Sequence, residues 1–317
     1  MLKKIVLSLL SGILVSVSLL SYAAPWFTGP LLAPAGKTIP LGHANFEMYG
    51  FFTKNTGVFD RSALIVDTPA LKSNQANPIF SYGLTDRIDA QLSVPYTKNY
   101  SQGRTGRHIG DNSVILGYQL ITEKPDTFIP SLRVTIQEIF PIGRFDGLNP
   151  TDKGTGATGL GSYQSVLSFN FQKLAPLGKE FYLRGRLSLA YLYANRFDID
   201  GASSSGGGIN ARGSINPGNV MTADIAAELS VTQHWVAVME GYYIHRQAAS
   251  FRGHPGFDDA GNLIEISRPD VSEYSIAPAI EYNFNANYGI ILGTWFAVKG
   301  KNAPNFRSTV VALNAFW

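Results

Sequence analysis

Charged and amide side chains recur at alternate positions within otherwise apolar stretches of this sequence. In the stretch 181–193, Arg184 and Arg186 alternate with Leu183, Leu187 and Leu189. A period of two places the two sets on opposite faces of a β-strand. A charge that faces lipid near the middle of a bilayer costs about 2–4 kcal/mol, so the polar face is expected to line a lumen. The predicted lumen-lining residues are Glu47, Asp89, Arg133, Gln137, Gln164, Arg184, Arg186, Asp224, Glu228, Glu240, Glu273 and Glu281.

The charges of this set are not evenly distributed along the chain. Arg133, Arg184 and Arg186 lie on predicted strands in the middle of the sequence, and most of the acidic residues follow them. Two interpretations have equal weight. Opposite walls of opposite charge would create a transverse field across a narrow pore. Alternatively, neighbouring Arg and Glu side chains pair with one another and fill a small barrel.

Serine and histidine could supply a nucleophile and a base, as in outer-membrane enzymes that process lipids. The pairs to consider are His108 with Ser113 and His245 with Ser250, near the outer ends of predicted strands. Nucleophilic catalysis also needs a third group that orients the base, and neither pair lies in a Gly-x-Ser-x-Gly or His-x-Ser motif. We therefore predict no catalytic residue, and a lipid-processing enzyme is a remote alternative.

Two other motifs suggest ligands. Residues 154–159 match G-x-G-x-x-G, but a dinucleotide site needs a preceding strand and a following helix, and this Gly/Thr-rich stretch leads into a strand. Asp258, Asp259, Asn262 and Glu265 could offer oxygens to Ca²⁺, but their order does not fit the EF-hand spacing. With no cysteine in the chain, disulfides and Cys-based zinc sites are excluded. We predict no metal and no cofactor.

The N-terminus has the pattern of a secretory signal peptide. Lys3 and Lys4 precede an apolar run, and small residues around Ala23 suit cleavage before Ala24. Residues 1–23 are therefore predicted to be removed, which lowers the formal charge from +3 to +1 because two lysines are lost. Such a balance gives no reason to expect a nucleic-acid partner. Residues 24–43, rich in Pro and Gly, form a predicted arm that is periplasmic or enters the lumen and is not needed for assembly.

The C-terminus ends in a strand-like alternation closed by an aromatic residue. Leu313, Ala315 and Trp317 fall on one face of this last strand. The pattern resembles the C-terminal signature of bacterial outer-membrane β-barrels, which their assembly machinery reads. We therefore assign these three residues as a predicted assembly signal.

Short and long connections alternate along residues 44–317, as in outer-membrane barrels. The long ones are predicted at 54–75, 98–109, 143–158, 197–217 and 248–269, with a briefer one at 300–304. The strands between the connections number about twelve, and an even number leaves both termini in the periplasm. We predict an all-β, transmembrane antiparallel barrel with short periplasmic turns and long outer loops. A soluble β-sandwich is the competing class.

Two assignments of side chains to the lumen or to the outer face rest on a weaker alternation of residue types than the others. On the strand that starts at Trp235, Glu240 is assigned to the lumen, with Val236 and Val238 directed outward. Aromatic residues near strand ends are assigned to the interfacial girdles of a barrel. These residues are Tyr96, Phe140, Tyr193, Tyr242, Trp295 and Trp317.

Several stretches resemble a family of outer-membrane proteins named after the MetA pathway of phenol degradation. The stretches are Tyr82-Gly-Leu-Thr-Asp-Arg-Ile-Asp89, Leu92-Ser-Val-Pro95, Gly110-Asp111 with Val114-Ile-Leu-Gly-Tyr118, Pro130-Ser-Leu-Arg-Val-Thr135, Phe140-Pro-Ile-Gly143 and the Gly-rich loop before Tyr163. The resemblance implies an outer-membrane barrel that passes small compounds, aromatic ones among them. It maps no ligand-contacting residue onto this chain.

The sequence thus predicts passive transport of small solutes across a Gram-negative outer membrane. The expected partners are outer-membrane lipid, lipopolysaccharide, the barrel-assembly machinery and a small-molecule solute. The alternative is a structural or surface-interaction protein whose lumen is closed by salt bridges.

Overall fold

The computed structural model describes residues 25–178, 181–258, 260–264, 266 and 269–317, so the predicted signal peptide lies outside the described residues. These residues form strands and one short 3₁₀ helix at Pro150–Asp152. Among them, no helix is long and apolar enough to cross a membrane. In chain order the strands are β1 (Ala44–Phe59), β2 (Ile65–Gly83), β3 (Ile88–Ser93), β4 (Tyr96–Ser101), β5 (Arg104–Ile109), β6 (Asn112–Ile121), β7 (Ser131–Phe140), β8 (Gln164–Leu177), β9 (Phe181–Ala194), β10 (Phe197–Asp200), β11 (Arg212–Asn216), β12 (Val220–Ser230), β13 (Trp235–Arg246), β14 (Ser250–His254), β15 (Val271–Asn283), β16 (Tyr288–Lys301) and β17 (Ala303–Phe316).

The main sheet is an antiparallel barrel that closes on itself, since β1 pairs with both β2 and β17. β3 and β4 both pair with β2 and form one barrel strand interrupted at Val94 and Pro95. Their partners β6 and β5 form the next one. Proline has no N–H to donate to the ladder, which explains the interruption. Counted in this way the barrel has twelve strands, and the predicted fold class is confirmed.

Three of the predicted long connections are wrong. β1 continues to Phe59 and β2 begins at Ile65, so only a tight turn remains between them. β4 and β5 run through 98–109 with a two-residue turn at Gln102 and Gly103, both at positive φ. The connection 300–304 is likewise reduced to a turn at Asn302. The inward residues of β4 are buried but polar (Thr97, Asn99 and Ser101), so the sequence lacks apolar alternation there although the backbones stay paired.

The predicted outer loops 197–217 and 248–269 contain regular structure. β10, β11 and β14 form a separate three-stranded sheet there. Ile199, Ala211 and Ile215 are buried beneath it with Phe145 and Phe251 around them. This satellite core gives the outer end of the barrel a folded cover.

Side chains along the barrel strands alternate between an apolar outer face and a polar lumen. The facing of four residues is corrected. Val236 and Val238 face inward together with Glu240, because residues two apart on a strand share a face. Tyr242 lines the lumen and does not belong to an interfacial girdle. Trp295 also points inward, where its Nε1 donates to Ser275 Oγ at 2.9 Å.

Candidate functional site

The N-terminal arm enters the lumen from the end at which the short turns lie. Trp26 N donates to the carbonyl of Gln233 in the turn between β12 and β13, and its ring lies 4.9 Å from that of His234. The arm then crosses the lumen and returns to the barrel wall, where Gly42 N donates to the carbonyl of Gly83. It continues from there directly into β1.

Wall carboxylates accept the backbone N–H groups of the arm. Glu240 accepts from Leu31, Leu32 and Ala33, with Oε2 lying 3.0 Å from Leu32 N and 2.9 Å from Ala33 N. Glu281 accepts from Thr28 and from Gly29. An arm without strand pairing has unsatisfied N–H groups, and buried N–H groups need acceptors. These two carboxylates therefore hold the arm in the lumen.

Three further wall residues secure the other half of the arm. Asp89 Oδ2 accepts from Ile39 N at 2.9 Å. Gln119 Oε1 accepts from Thr38 N at 2.8 Å, and Gln172 Oε1 accepts from Gly36 N at 3.2 Å. Arg186 Nη1 contributes from the opposite direction by donating to the carbonyl of Ala33 at 3.0 Å. The arm is thus bound to walls on both sides of the lumen.

Apolar packing supplements these hydrogen bonds. Leu31 is buried against Val236 and Val238 of β13 and against Ile291 and Val310 of neighbouring strands. Apolar residues that face a lumen are unusual in a water-filled channel, and the arm explains them here. Burial of a leucine side chain contributes about 1.5–3 kcal/mol.

The predicted arginines pair with acidic residues of nearby strands. Arg184 and Arg186 both approach Glu228 on the adjacent strand β12, the second at 3.3 Å. Arg133 on β7 pairs with Asp89 on β3 at 2.6 Å, across the intervening strand β6. Local pairing, the second interpretation of the sequence, therefore describes these residues.

Gly117 on β6 makes the Arg133–Asp89 pair possible. It lies opposite Asp89 of β3 and opposite Thr135 of β7, two residues from Arg133. A Cβ at this position would overlap Asp89 Oδ1 and Arg133 Nε. The absence of a side chain thus leaves the space in which the ion pair forms.

Within the described residues, two cavities occupy the lumen on either side of the arm. The inner chamber, on the side of the short turns, has a volume of about 700 Å³ and includes Glu47, Asp89 and Arg133 in its walls. The outer chamber has a volume of about 600 Å³ and lies beneath the outer loops. Leu32, Pro34 and Tyr242 line both chambers. The arm therefore forms the partition between them.

The outer chamber has mainly apolar walls with few charged groups. Its apolar lining includes Val166, Ala190, Leu192, Val220 and Ile244. Its polar lining includes Gln137, Gln164, Ser188, Asp224 and Arg246. Asp224 is only 3 % exposed. Its Oδ1 has no hydrogen-bond partner among the residues that the structure describes.

The remaining predicted lumen residues have individual surroundings. Glu47 lies in the inner chamber, 3.5 Å from the hydroxyl of Tyr49. Glu273 is buried on β15, opposite Ile244 of β13.

The residues considered for catalysis and Ca²⁺ binding have other contacts. His245 Nδ1 lies 3.0 Å from Ser272 Oγ, and His108 Nδ1 lies 3.0 Å from the carbonyl oxygen of Ile109. Asp258 accepts from the backbone of Ala260 and Asn262, a local turn. Asp259 and Glu265 lie outside the described residues.

The terminal residues meet at the seam of the barrel. Ala44 N donates to the carbonyl of Trp317 at 2.8 Å, and Trp317 N donates back at 3.0 Å. The side chains of Leu313 and Trp317 are exposed on the outer face. The C-terminal strand therefore completes the closure next to the point where the arm becomes β1.

The chain resembles several solved outer-membrane barrels. An outer membrane channel from Pseudomonas putida F1 aligns with a TM-score of 0.67 and 15% identity, over 90% of this chain and 100% of that chain. The transport unit of the autotransporter AIDA-I from Escherichia coli gives a TM-score of 0.45 with 11% identity, over 86% and 90%. The translocator domain of the autotransporter NalP from Neisseria meningitidis gives 0.44 with 10% identity, over 86% and 88%.

No family model and no curated protein sequence matches the chain. The first of these structural similarities supports the fold, and with the closed barrel it defines the class of protein. The chain has the closed antiparallel β-barrel fold of a solved outer-membrane channel.

Sequence reasoning missed several residues of this site. Gln119 and Gln172 accept hydrogen bonds from the arm. Their alternate positions on the polar faces of their strands could have identified them as lumen residues. Tyr242 has the same parity as Glu240, which would have placed it in the lumen. Nothing in the local sequence indicates the role of Gly117.

Proposed function

We propose that the chain forms a passive outer-membrane channel for small solutes, narrowed at mid-height by its N-terminal arm. The observation that carries this proposal is the pair of chambers, of about 700 and 600 Å³, that meet at the arm. Barrels of eight strands are filled by side chains, whereas those of 16–18 strands enclose aqueous channels. A twelve-stranded barrel with unfilled space on both sides of a thin partition suits limited diffusion of small molecules.

The resemblance to the family named after the MetA pathway of phenol degradation supports the same proposal. It implies transport of small organic compounds, aromatic ones among them. The apolar walls of the outer chamber are compatible with such solutes.

The same proposal includes the surroundings of the barrel. Outer-membrane lipid and lipopolysaccharide surround the apolar outer face after signal-peptide-directed export. The assembly machinery reads Leu313, Ala315 and Trp317 on the last strand, two of which are exposed to it on the outer face.

A closed structural barrel is the second candidate, and a specific observation favours it. Arg184 and Arg186 share Glu228, and Arg133 pairs with Asp89, so ion pairs occupy part of the cross-section. In that case the lumen would be sealed by these pairs together with the arm, and the protein would act through its surface.

Planar-bilayer recordings of the wild type and of the double variant Arg184→Ala/Arg186→Ala distinguish the two candidates. A channel shows discrete conductance in the wild type. In the variant its selectivity shifts toward cations, because Glu228 loses both positive partners. Liposome swelling with sugars, organic acids and phenolics measures solute flux in parallel. Absence of conductance and of flux in both proteins would support the closed barrel.

A further inference from the structure

Asp224 is the unsatisfied acceptor at the floor of the outer chamber. One of its carboxylate oxygens has no hydrogen-bond donor among the described residues, although the side chain is almost completely buried. No ion pair to Asp224 forms within the described part of the chain. A buried acceptor without a donor is costly, and a buried charge without a partner costs more. A bound molecule that brings a donor would remove this cost.

The neighbours of Asp224 do not donate to this oxygen. In the ladder Asp224 lies between Ser188 on β9 and Tyr242 on β13, so the three side chains share one level of the lumen wall. The hydroxyl of Ser188 donates instead to Asn170 Oδ1 at 2.7 Å. Arg186, two residues before Ser188 on β9, forms an ion pair with Glu228 at 3.3 Å and donates from Nη1 to the arm, and it makes no hydrogen bond to Asp224. The free oxygen therefore faces the chamber.

We propose that the outer chamber binds small hydrophobic amines as monocations, with the ammonium group between Asp224 and the ring of Tyr242. The proposal rests on the channel function and names the class of solute that this chamber favours. A carboxylate and an aromatic ring side by side are the two groups that attract an ammonium ion, by a charge-assisted hydrogen bond and by a cation–π interaction. The apolar walls accommodate the rest of the molecule.

The charges around the chamber favour a cation with a single charge. The charged residues in the lining of the chamber are one acidic side chain, Asp224, and one basic side chain, Arg246. Arg246 lines the same chamber, four residues beyond Tyr242 on β13. At 3.3 Å per residue it lies roughly 13 Å further out. A second ammonium group at that distance would meet a positive charge, so long diamines are disfavoured.

Calorimetry on the purified full chain in detergent tests the proposal. The probes are 2-phenylethylamine, the neutral 2-phenylethanol and the anionic phenylacetate, which share one apolar body. The amine is expected to bind about tenfold more tightly than the alcohol, as one charge-assisted hydrogen bond implies. Asp224→Asn should remove this preference and leave binding of the alcohol unchanged. Glu273→Gln is the matched control, because it removes a lumen charge outside the lining of the chamber.

The outcomes separate this inference from the channel function. Equal affinities for amine and alcohol, or an unchanged preference in Asp224→Asn, would overturn the amine site even if the wild type conducts. An equal loss in Glu273→Gln would show a general field effect and also contradict a site at Asp224. Asp224→Ser provides a second variant should Asp224→Asn fail to fold. Binding without conductance would instead contradict the channel and leave the site intact.

Discussion

The two chambers of the lumen use the same residue types in different ways. On the inner side and at the partition, the lumen carboxylates accept hydrogen bonds from the N–H groups of the arm. These carboxylates are Glu240, Glu281 and Asp89, and Asp89 also pairs with Arg133. In the outer chamber, Asp224 keeps one oxygen for which the described part of the chain provides no hydrogen-bond partner. The position of a carboxylate on the polar face of a strand therefore does not determine its role. Its role depends on whether the arm or another group of the chain contacts it.

The arm causes this difference. Its four prolines at positions 25, 30, 34 and 40 prevent it from pairing as a strand. Its N–H groups therefore depend on side-chain acceptors from the wall. Each hydrogen bond to a charged group contributes about 1.5–3 kcal/mol. The wall of the inner chamber thus binds a segment of the chain itself, whereas the outer chamber is the proposed binding site for a solute.

Weakening the hold on the arm has the largest expected effect among the point variants. Glu240→Gln replaces a carboxylate that accepts three N–H groups with a neutral amide. Lys37 is the only lysine or arginine in residues 25–43, so trypsin cleavage there reports release of the arm. We expect about a tenfold faster cleavage, equivalent to the loss of one charge-assisted hydrogen bond. N-terminal sequencing of the product should then begin at Thr38.

Glu273→Gln is the matched control for this variant. It removes a second buried lumen carboxylate from which no arm N–H contact arises among the described residues. Cleavage at Lys37 should proceed in it at the wild-type rate. Equal acceleration in both variants would mean that lumen charge in general, and not the contact of Glu240, retains the arm.

A smaller effect is expected from filling the space beside the inner ion pair. Gly117→Ala places a methyl group against Asp89 and Arg133 and should destabilise the barrel by about 1 kcal/mol, at the low end for overpacking, because the obstructing atoms are the ends of flexible side chains. The unfolding temperature can be read from the shift between folded and unfolded bands on SDS gels. Gly185→Ala is the control, because nothing lies within 4 Å of its added Cβ. A loss of stability in both would attribute the effect to strand glycines generally.

The strand faces could be predicted because lipid enforces them. The alternation of Arg184 and Arg186 with leucines places β9 correctly, and the same rule puts Asp224 and Glu228 inside. This alternation applies only to the parts of the strands that face lipid. Strands in 54–75 and 98–109 were missed because polar residues occupy both of their faces, which leaves no apolar alternation to detect.

The contacts within the lumen could not be predicted from strand patterns. Glu240 and Asp224 have the same parity and comparable depth, yet only the fold shows that the arm reaches one and leaves an oxygen of the other free. The arm itself has no periodicity that fixes its path. Val236 and Val238 were assigned outward in order to keep Glu240 in the lumen, although residues two apart share a strand face. Leu31 of the arm covers the two valines within the lumen.

The conductance of single channels without the arm tests the central claim most directly. Deletion of residues 26–40 should leave a barrel that still migrates differently before and after boiling. Its conductance in planar bilayers should be severalfold higher than that of the wild type, because the partition between the two chambers is gone. Assembled barrels of unchanged conductance would contradict the arm as the constriction, and failure to assemble would contradict its independence from the barrel.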